Sequence, residues 1–414
     1  MTSETLSDIA LVTPGTSPKG ELINSDGKGY PFFQGSKEFQ ALYPRAERFT
    51  EFPVKMAKKD DILISVRAPV GQVNIAPQDV AIGRGVMSVR PKQDSDRYFV
   101  FYLLKWLEGR WDSLGSTGSV FENLSVSALS SVEIPKVEYR ETVGRVLFQI
   151  DCKIQENSRI SKTLEEIAQA IFKSWFIDFE PVKAKMAGEK PVGMDDATAA
   201  LFPDSMEDSE LGPVPTNWHP LPLTNFFDVL SGGTPKTTEA SFWGGPIPWF
   251  SVVDAPVSGG CFFIKTEKTV TEQGVSNSAA KIVRPGVTII SARGTVGKTA
   301  VVATPSTFNQ SCYGLMGKYG DFYTYLLVKH MVTRLQNIAH GGMFDTITRE
   351  TFSALTVPKP MEPVIDTFEK LVEPMFMQIK NLQYQSEQLA TMRDALLPRL
   401  ISGELKIPEE MLAS

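Results

Sequence analysis

The chain has 414 residues, of which 42% are apolar and 22% charged, so it is long enough for two to four domains and too apolar for a disordered protein. Three cysteines and three histidines are too few for a disulfide framework or a zinc site, and the first residues lack the features of a targeting signal. No apolar run reaches the roughly 18 residues of a membrane span, so we expect a cytoplasmic protein with no membrane partner.

The formal net charge of −6 arises in one segment of the chain. Residues 178–210 contain nine Asp and Glu against three Lys, which leaves the rest of the chain neutral. Residues 216–360 contain twelve Lys and Arg against eight Asp and Glu. The acidity therefore belongs to a connector, and the net charge does not exclude nucleic acid as a partner.

An internal repeat runs through most of the sequence. Six pairs of segments match in order: 15–19 with 232–236, 30–33 with 247–250, 64–72 with 290–298, 102–104 with 325–327, 118–121 with 341–344, and 134–136 with 357–359. The spacing between members drifts by only a few residues, as loop insertions would produce. The chain is therefore expected to contain two similar domains.

Each repeat is predicted to be a mixed α/β domain with a mainly antiparallel sheet. Short β-branched runs predict strands, and segments with helical spacing follow them. The predicted strands are 61–66 and 86–89 in the first copy and 287–291 and 300–303 in the second; the predicted helices are 98–111 and 322–337.

A long helix with an apolar stripe follows each domain. The stripe includes Ile154, Leu164 and Ile171 in the first helix and, at a constant offset, Ile379, Leu389 and Leu396 in the second. Such stripes favour a paired coiled coil over helices packed each on its own domain. Glu165 and Arg393 are expected off the stripe, and Pro398 with Gly403 is expected to end the second helix.

Several segments resemble the DNA specificity subunit of type I restriction-modification systems. They are LSDIA at 6–10, AIFKSWFIDFEPVKAKM at 170–186, LFPDSMEDSELGPVPTNW at 201–218 and LLPRLISGEL at 396–405. The resemblance covers essentially the full chain. The implied fold is α/β (α+β): two mixed target-recognition domains separated by two long antiparallel coiled-coil helices in a pseudo-two-fold repeat.

The resemblance also implies an organisation and a function. Target-recognition domains at 1–136 and 216–360, each reading half of a split asymmetric DNA sequence, would alternate with helical spacers at 137–182 and 361–414, with the acidic connector at 183–215. The helices would bind two methyltransferase (modification) subunits, which methylate adenine with S-adenosylmethionine. Two restriction (translocase) subunits would add ATP- and Mg-dependent cleavage, so this chain would be non-catalytic and hold no cofactor.

Residues 292–299 fit a relaxed phosphate-binding loop, but the following residues favour a strand where such a loop needs a helix. A hairpin turn with Gly71 or Gly297 at positive φ is the preferred interpretation. A P-loop nucleotide-binding enzyme and a repeat-built protein-binding scaffold remain the alternative functions.

The same turns supply four of the candidate DNA contacts, and other matching positions of the two copies supply the rest. In the first copy the candidates are Lys19, Arg67, Gln72 and Arg84; in the second they are Lys236, Arg293, Lys298 and Gln310. These side chains suit phosphate or guanine and other base edges. Lys19 and Lys236 lie in separate Ser/Thr-Pro-Lys turns, where a merely solvated lysine is the alternative to a phosphate contact. A structural ion pair with a carboxylate is the alternative for the two arginines. Phe121 and Phe344 could contact DNA or anchor a core, and Trp175 and Phe176 could face a partner or pack under the connector.

Overall fold

The computed structural model of the chain describes residues 4–111, 124–256, 259–340 and 346–407. The chain divides into two compact units. The first unit comprises Met1–Ile154 and Gln388–Ser414, and the second comprises Gln155–Glu387. Both long helices are shared between the units, and the five segment boundaries expected from the sequence stay a prediction.

The first unit contains two four-stranded sheets. Its strands are β1 (Glu4–Thr5), β2 (Ala10–Pro14), β3 (Tyr30–Phe33), β4 (Phe49–Thr50), β5 (Met56–Ala57), β6 (Ile62–Ser65), β7 (Val73–Ile75), β8 (Val80–Ile82), β9 (Val86–Pro91) and β10 (Glu133–Ile134). Its helices are α1 (Leu6–Ile9), α2 (Arg97–Leu107) and α3 (Val126–Ser130). One sheet is antiparallel in the order β2-β9-β6-β7; the other has the order β4-β3-β8-β5, with β3 and β8 parallel. Separately, β1 pairs with β10.

Strand β6 shows why this sequence forms a sheet that is covered on both faces. Successive side chains of a strand point to opposite faces. Ile62 and Ile64 join the core under α2, while Leu63 between them joins a second core with Phe33 and Val80. The continuous apolar run of β6 therefore supplies apolar side chains to the cores on both faces of the sheet. The strand also matches the one predicted from the sequence.

Helix α4 (Arg140–Phe176) continues from the first unit into the second, whose sheets follow it. The strands of the second unit are β11 (Met206–Ser209), β12 (Gly212–Pro215), β13 (Pro220–Pro222), β14 (Phe227–Ser231), β15 (Trp243–Phe250), β16 (Phe262–Phe263), β17 (Lys268–Val270), β18 (Thr288–Ser291), β19 (Thr299–Val302), β20 (Thr307–Phe308), β21 (Cys312–Gly317) and β22 (Thr356–Pro358). Its helices are α5 (Glu180–Met186), α6 (Asp196–Ala200), α7 (Glu272–Ser276), α8 (Asp321–His340) and α9 (Arg349–Ser353). Helix α10 (Glu362–Ile401) runs from this unit into the first.

The second unit repeats the strand order of the first, which confirms the internal duplication. Its main sheet has the order β14-β21-β18-β19-β16, where the first four strands correspond to β2-β9-β6-β7. Strands β15 and β20 are parallel, as β3 and β8 are, and β13 pairs with β22 as β1 pairs with β10. The hairpin β11–β12 precedes the second copy. The predicted mixed α/β class is therefore confirmed.

The two long helices pair in an antiparallel direction within the second unit. Asn157 Nδ2 donates a hydrogen bond of 2.8 Å to Gln385 Oε1, while nearer the end of α4 the rings of Phe172 and Phe368 lie 5.8 Å apart. Residue numbers rise along α4 as they fall along α10, so the helices run in opposite directions. The predicted antiparallel pair is confirmed.

One prediction about these helices was wrong, and one polar residue of the first helix is buried. Pro398 does not end the second helix, because α10 continues to Ile401, before Gly403 at φ 75°. Glu165, which was expected off the stripe, is buried and accepts hydrogen bonds from Tyr325 Oη (2.5 Å) and Lys329 Nζ. These two donors, both on α8, satisfy a carboxylate that burial would otherwise destabilise.

The aromatic residues at the end of α4 belong to a core. Trp175 and Phe176 are 6% and 5% exposed and pack with rings of Phe202 and Trp218. Phe202 lies in the acidic connector, so Trp175 and Phe176 pack under the connector, as one of the two interpretations had it. The other interpretation, in which they face a partner, is wrong.

Candidate nucleic-acid interface

The turn between β6 and β7 is closed by one serine. Ser65 Oγ donates to the carbonyl of Pro69 (2.6 Å) and accepts from the backbone N–H of Gln72 (3.0 Å), while Gly71 N–H donates to the Ser65 carbonyl (2.9 Å). Gly71 has φ 86°, a conformation that favours glycine. The backbone and one hydroxyl therefore set the shape of this turn, which leaves the Arg67 side chain exposed.

The turn between β18 and β19 is built in the same way. Ser291 Oγ donates to the carbonyl of Thr295 and accepts from Lys298 N–H (2.9 Å), and Gly297, at φ 90°, donates to the Ser291 carbonyl (2.9 Å). The predicted hairpin turn with a positive-φ glycine is confirmed in both copies. Strand β19 begins directly after Lys298, so this turn offers no helix N-terminus to a phosphate group. The alternative interpretation of residues 292–299 as a nucleotide-binding loop is therefore wrong.

Three loops of the first unit meet at the same edge of its sheets. Three hydrogen bonds join them: Thr16 N–H to Ile82 O at 2.9 Å, Arg84 N–H to Ser17 Oγ at 3.3 Å, and Val66 N–H to Gly85 O at 3.0 Å. The loops carry Lys19, Arg67 and Arg84, which are all exposed. Gln72, which is half-buried, lies at the C-terminal end of the turn that contains Arg67. The structure therefore brings the four predicted residues of this copy to adjoining loops.

Hydrogen bonds between the matching loops also join those of the second unit, two through the same backbone atoms as in the first unit and one between side chains. They run from Gly233 N–H to Phe308 O at 2.9 Å, from Thr234 Oγ1 to Gln310 Oε1, and from Ala292 N–H to Ser311 O at 2.8 Å. Lys236, Arg293, Lys298 and Gln310 are exposed on these loops. We call the two sets of joined loops the reading loops: 15–19, 66–72 and 83–85 in the first unit, and 232–236, 292–298 and 309–311 in the second.

Among the residues that the structure describes, the cations of the reading loops form no ion pair, in contrast to other arginines nearby. Arg90 binds the buried Asp61 (2.7 Å), and Arg284 binds Asp321. Among the described residues, Arg67 and Arg293 make no ion pair with a carboxylate, so the structural alternative for them finds no support there. Exposed cations without a protein counterion are suited to phosphate.

One further cation lies at the second set of loops and was missed from the sequence. Arg349 begins α9, is exposed, and its Nη2 lies 3.4 Å from Ser231 Oγ, directly before the 232–236 loop. The equivalent residue of the first unit is Val126, as the matching bonds of Leu124 to Val66 and Ile347 to Ala292 show. Because the repeat has no arginine there, only the capping Thr348 before Arg349 could have indicated an exposed helix start.

Phe121 and Phe344 lie outside the described residues.

Five of the six predicted interface residues of the helices keep part of their surface exposed. Ile379 is buried, whereas Ile154, Leu164, Ile171, Leu389 and Leu396 are half-buried. Leu164 and Ile171 pack at the margin of the second unit's core, and Leu396 at the margin of the first. Their remaining apolar surface is available to a partner.

In the ranges that the structure describes, no three His, Cys, Asp or Glu side chains are grouped as a metal ion would need. Within the same ranges, every helix is too short or too polar to cross a membrane.

Comparisons with known proteins place these features in a family. The "Type I restriction modification DNA specificity domain" family matches residues 1–166 and 215–364. The MjaIX specificity subunit of Methanocaldococcus jannaschii is 28% identical over 98% of this chain and 93% of its own length. The HindI specificity subunit of Haemophilus influenzae is 27% identical over 68% of this chain and 70% of its own length. The crystal structure of the restriction-modification S subunit from M. genitalium is similar in fold, with a TM-score of 0.58, 16% identity and coverage of 98% and 96%.

Proposed function

This chain belongs to the type I restriction modification DNA specificity family, and we propose that each of its units reads one half of a bipartite, asymmetric duplex sequence through its reading loops. The chain is the DNA-recognition subunit of a restriction-modification complex and is not the catalyst. One observation carries the proposal: the same three hydrogen-bonded loops occur twice, with cations at common positions that form no ion pair within the described part of the chain, and with different side chains at other positions.

The common and the differing positions suggest different roles. Lys19 with Lys236 and Arg67 with Arg293 are identical between copies, as contacts to the uniform phosphate backbone would be. The other two pairs differ: Gln72 with Lys298, and Arg84 with Gln310. Different side chains on a common scaffold would read different bases, so we assign the differing pairs to base edges.

The chain acts with other subunits of the complex. We propose that the half-buried leucines and isoleucines of α4 and α10 form the surface that binds two modification subunits, which use S-adenosylmethionine to methylate adenine. Two restriction subunits would use ATP and Mg to translocate and cleave. The cofactors would belong to these partners, and the cytoplasm would be the site of action.

The test is to assemble the full-length chain with its modification subunits, select bound duplexes from a randomised library, and map methylated adenines. We expect a split sequence with two specific parts. Lys298→Gln, which places the first copy's residue in the second, should change the preference in one part only. Equal binding of all duplexes by the unmodified complex would refute the proposal, and an equal loss in both parts would assign Lys298 to phosphate.

A further inference from the structure

In the first unit, a further segment of the chain reaches the reading loops at the start of β5. Strand β5 runs antiparallel to β8, and the carbonyl of Lys55, directly before β5, accepts a hydrogen bond of 3.0 Å from Ile82 N–H. Ile82 is the last residue of β8, and its own carbonyl accepts from Thr16 N–H (2.9 Å) of a reading loop. Because the two strands run in opposite directions, the residues before Lys55 lead toward the reading loop 83–85 that follows β8.

The second unit has the same arrangement at the matching strand. Val283 forms an antiparallel bridge with Ser306, the residue directly before β20, as Ala57 of β5 pairs with the first residue of β8. The positions correspond because β20 pairs with β15 in the register in which β8 pairs with β3. Lys281 is therefore the equivalent of Lys55, since each lysine lies two residues before its bridged residue.

In the second unit the segment before Lys281 packs directly on a reading loop. A Cβ atom on Gly233 would lie 2.2 Å from the Ala280 nitrogen and 2.3 Å from the Ala279 carbonyl carbon. Gly233 belongs to the loop 232–236, and its N–H donates to the carbonyl of Phe308 at the end of β20. Glycine at this position makes room for the segment, so the loop and the segment form one surface.

The side chains of the two segments repeat the pattern of the reading loops. Lys55 and Lys281 are both exposed, and neither forms an ion pair with a residue that the structure describes. The three residues before each lysine differ: Phe-Pro-Val at 52–54 and Ser-Ala-Ala at 278–280. In the first unit Phe52 and Val54 are 61% and 54% exposed, an unusual position for large apolar side chains unless they contact a partner.

We propose that residues 52–55 and 278–281 form a fourth DNA-contacting loop in each unit. Lys55 and Lys281 bind the phosphate backbone, which is common to all sequences, while the three differing residues before each lysine contact bases of that unit's half-site. The inference rests on the proposed function. It extends the contact surface to a segment that lies outside the six matching pairs of the repeat, where the strand pairing alone reveals the equivalence.

The lysines are tested by Lys55→Gln and Lys281→Gln, each made alone in the full-length chain assembled with its modification subunits. The slope of log K against log salt should become shallower by about 0.9 in each variant, so that a fourfold rise in salt costs about 3.5-fold less affinity than in the unmodified complex. The sequence selected from a randomised library should stay the same. Lys58→Gln is the matched control, because Lys58 lies past the other end of β5 and pairs with Asp79 (2.8 Å); it should leave the slope unchanged.

The differing residues are tested by placing the second unit's segment in the first, with Phe52→Ser, Pro53→Ala and Val54→Ala combined. Library selection should show a preference changed by at least about fivefold at a position of the first half-site. The second half-site should be unchanged, which gives an internal control for folding and assembly.

The inference is overturned if either lysine variant keeps the unmodified slope or changes the selected sequence, or if the triple variant selects the same first half-site as the unmodified complex. These outcomes leave the proposed function standing when the unmodified complex still selects a split sequence. An unmodified complex that binds every duplex equally would refute the proposed function and the inference with it.

Discussion

Replacing Arg67 and Arg293 together should make DNA binding markedly less dependent on salt. Both are exposed, and neither pairs with a carboxylate among the described residues. Each phosphate that a protein cation neutralises contributes about −0.9 to the slope of log K against log salt. If each arginine contacts one phosphate, a fourfold rise in salt weakens binding by about 3.5-fold per contact. The Arg67→Ala/Arg293→Ala protein should therefore lose about 12-fold less affinity than the unmodified protein between 50 and 200 mM salt.

The measurement is fluorescence anisotropy of a labelled target duplex, titrated with the assembled complex across that range of salt. Arg399→Ala is the matched control, because Arg399 is also exposed but already pairs with Glu404 (3.3 Å). The control should leave the slope unchanged. A slope in the double variant equal to that of the unmodified complex would show that these arginines do not contact phosphate, and the assignment of the common positions would be wrong.

Two further predictions concern the helices. Arg393→Met removes the main counterion of the buried Asp151 and leaves only its contacts with Tyr102 (2.5 Å) and Lys105 (3.8 Å). The substitution should lower the free energy of unfolding of the first unit, measured by urea titration, by about 1.5–3 kcal/mol. Adding Asp151→Leu should recover most of this loss, and a double variant less stable than Arg393→Met would contradict the explanation. Leu164→Asp and Leu389→Asp should each reduce co-purification of the modification subunits, whereas the exposed control Glu166→Ala should not; full assembly of both aspartate variants would count against the helical surface.

The sheet was predictable because its pattern is local. The β-branched runs around Ile64 and Ile290 and the matching order of the copies were enough to expect two similar domains. The ends of the helices were not. Helix α4 starts at Arg140, fourteen residues before the stripe residue Ile154, because its first turns pack on the first unit through Val143 and Leu147. The burial of Glu165 depends on Tyr325 and Lys329, about 160 residues later in the chain, and no local pattern indicates that pairing.

The candidate site was predictable where the repeat could be compared with itself. Arg67 and Arg293 follow matching strands and were found on that ground. Their meeting with Arg84 and Gln310 depends on hydrogen bonds between loops distant in sequence. Arg349 was missed because the other copy has Val126 there.

The serine that closes each turn has a consequence for how such a protein could evolve. Ser65 and Ser291 hold their turns through backbone atoms, so the exposed side chains at 67, 293 and 298 are not needed for the shape. Substitutions at exposed positions free of structural contacts usually change stability by less than about 0.5 kcal/mol. New side chains can therefore be tried at these positions at almost no cost in folding. Recognition can drift between sequences while the scaffold that presents it stays the same.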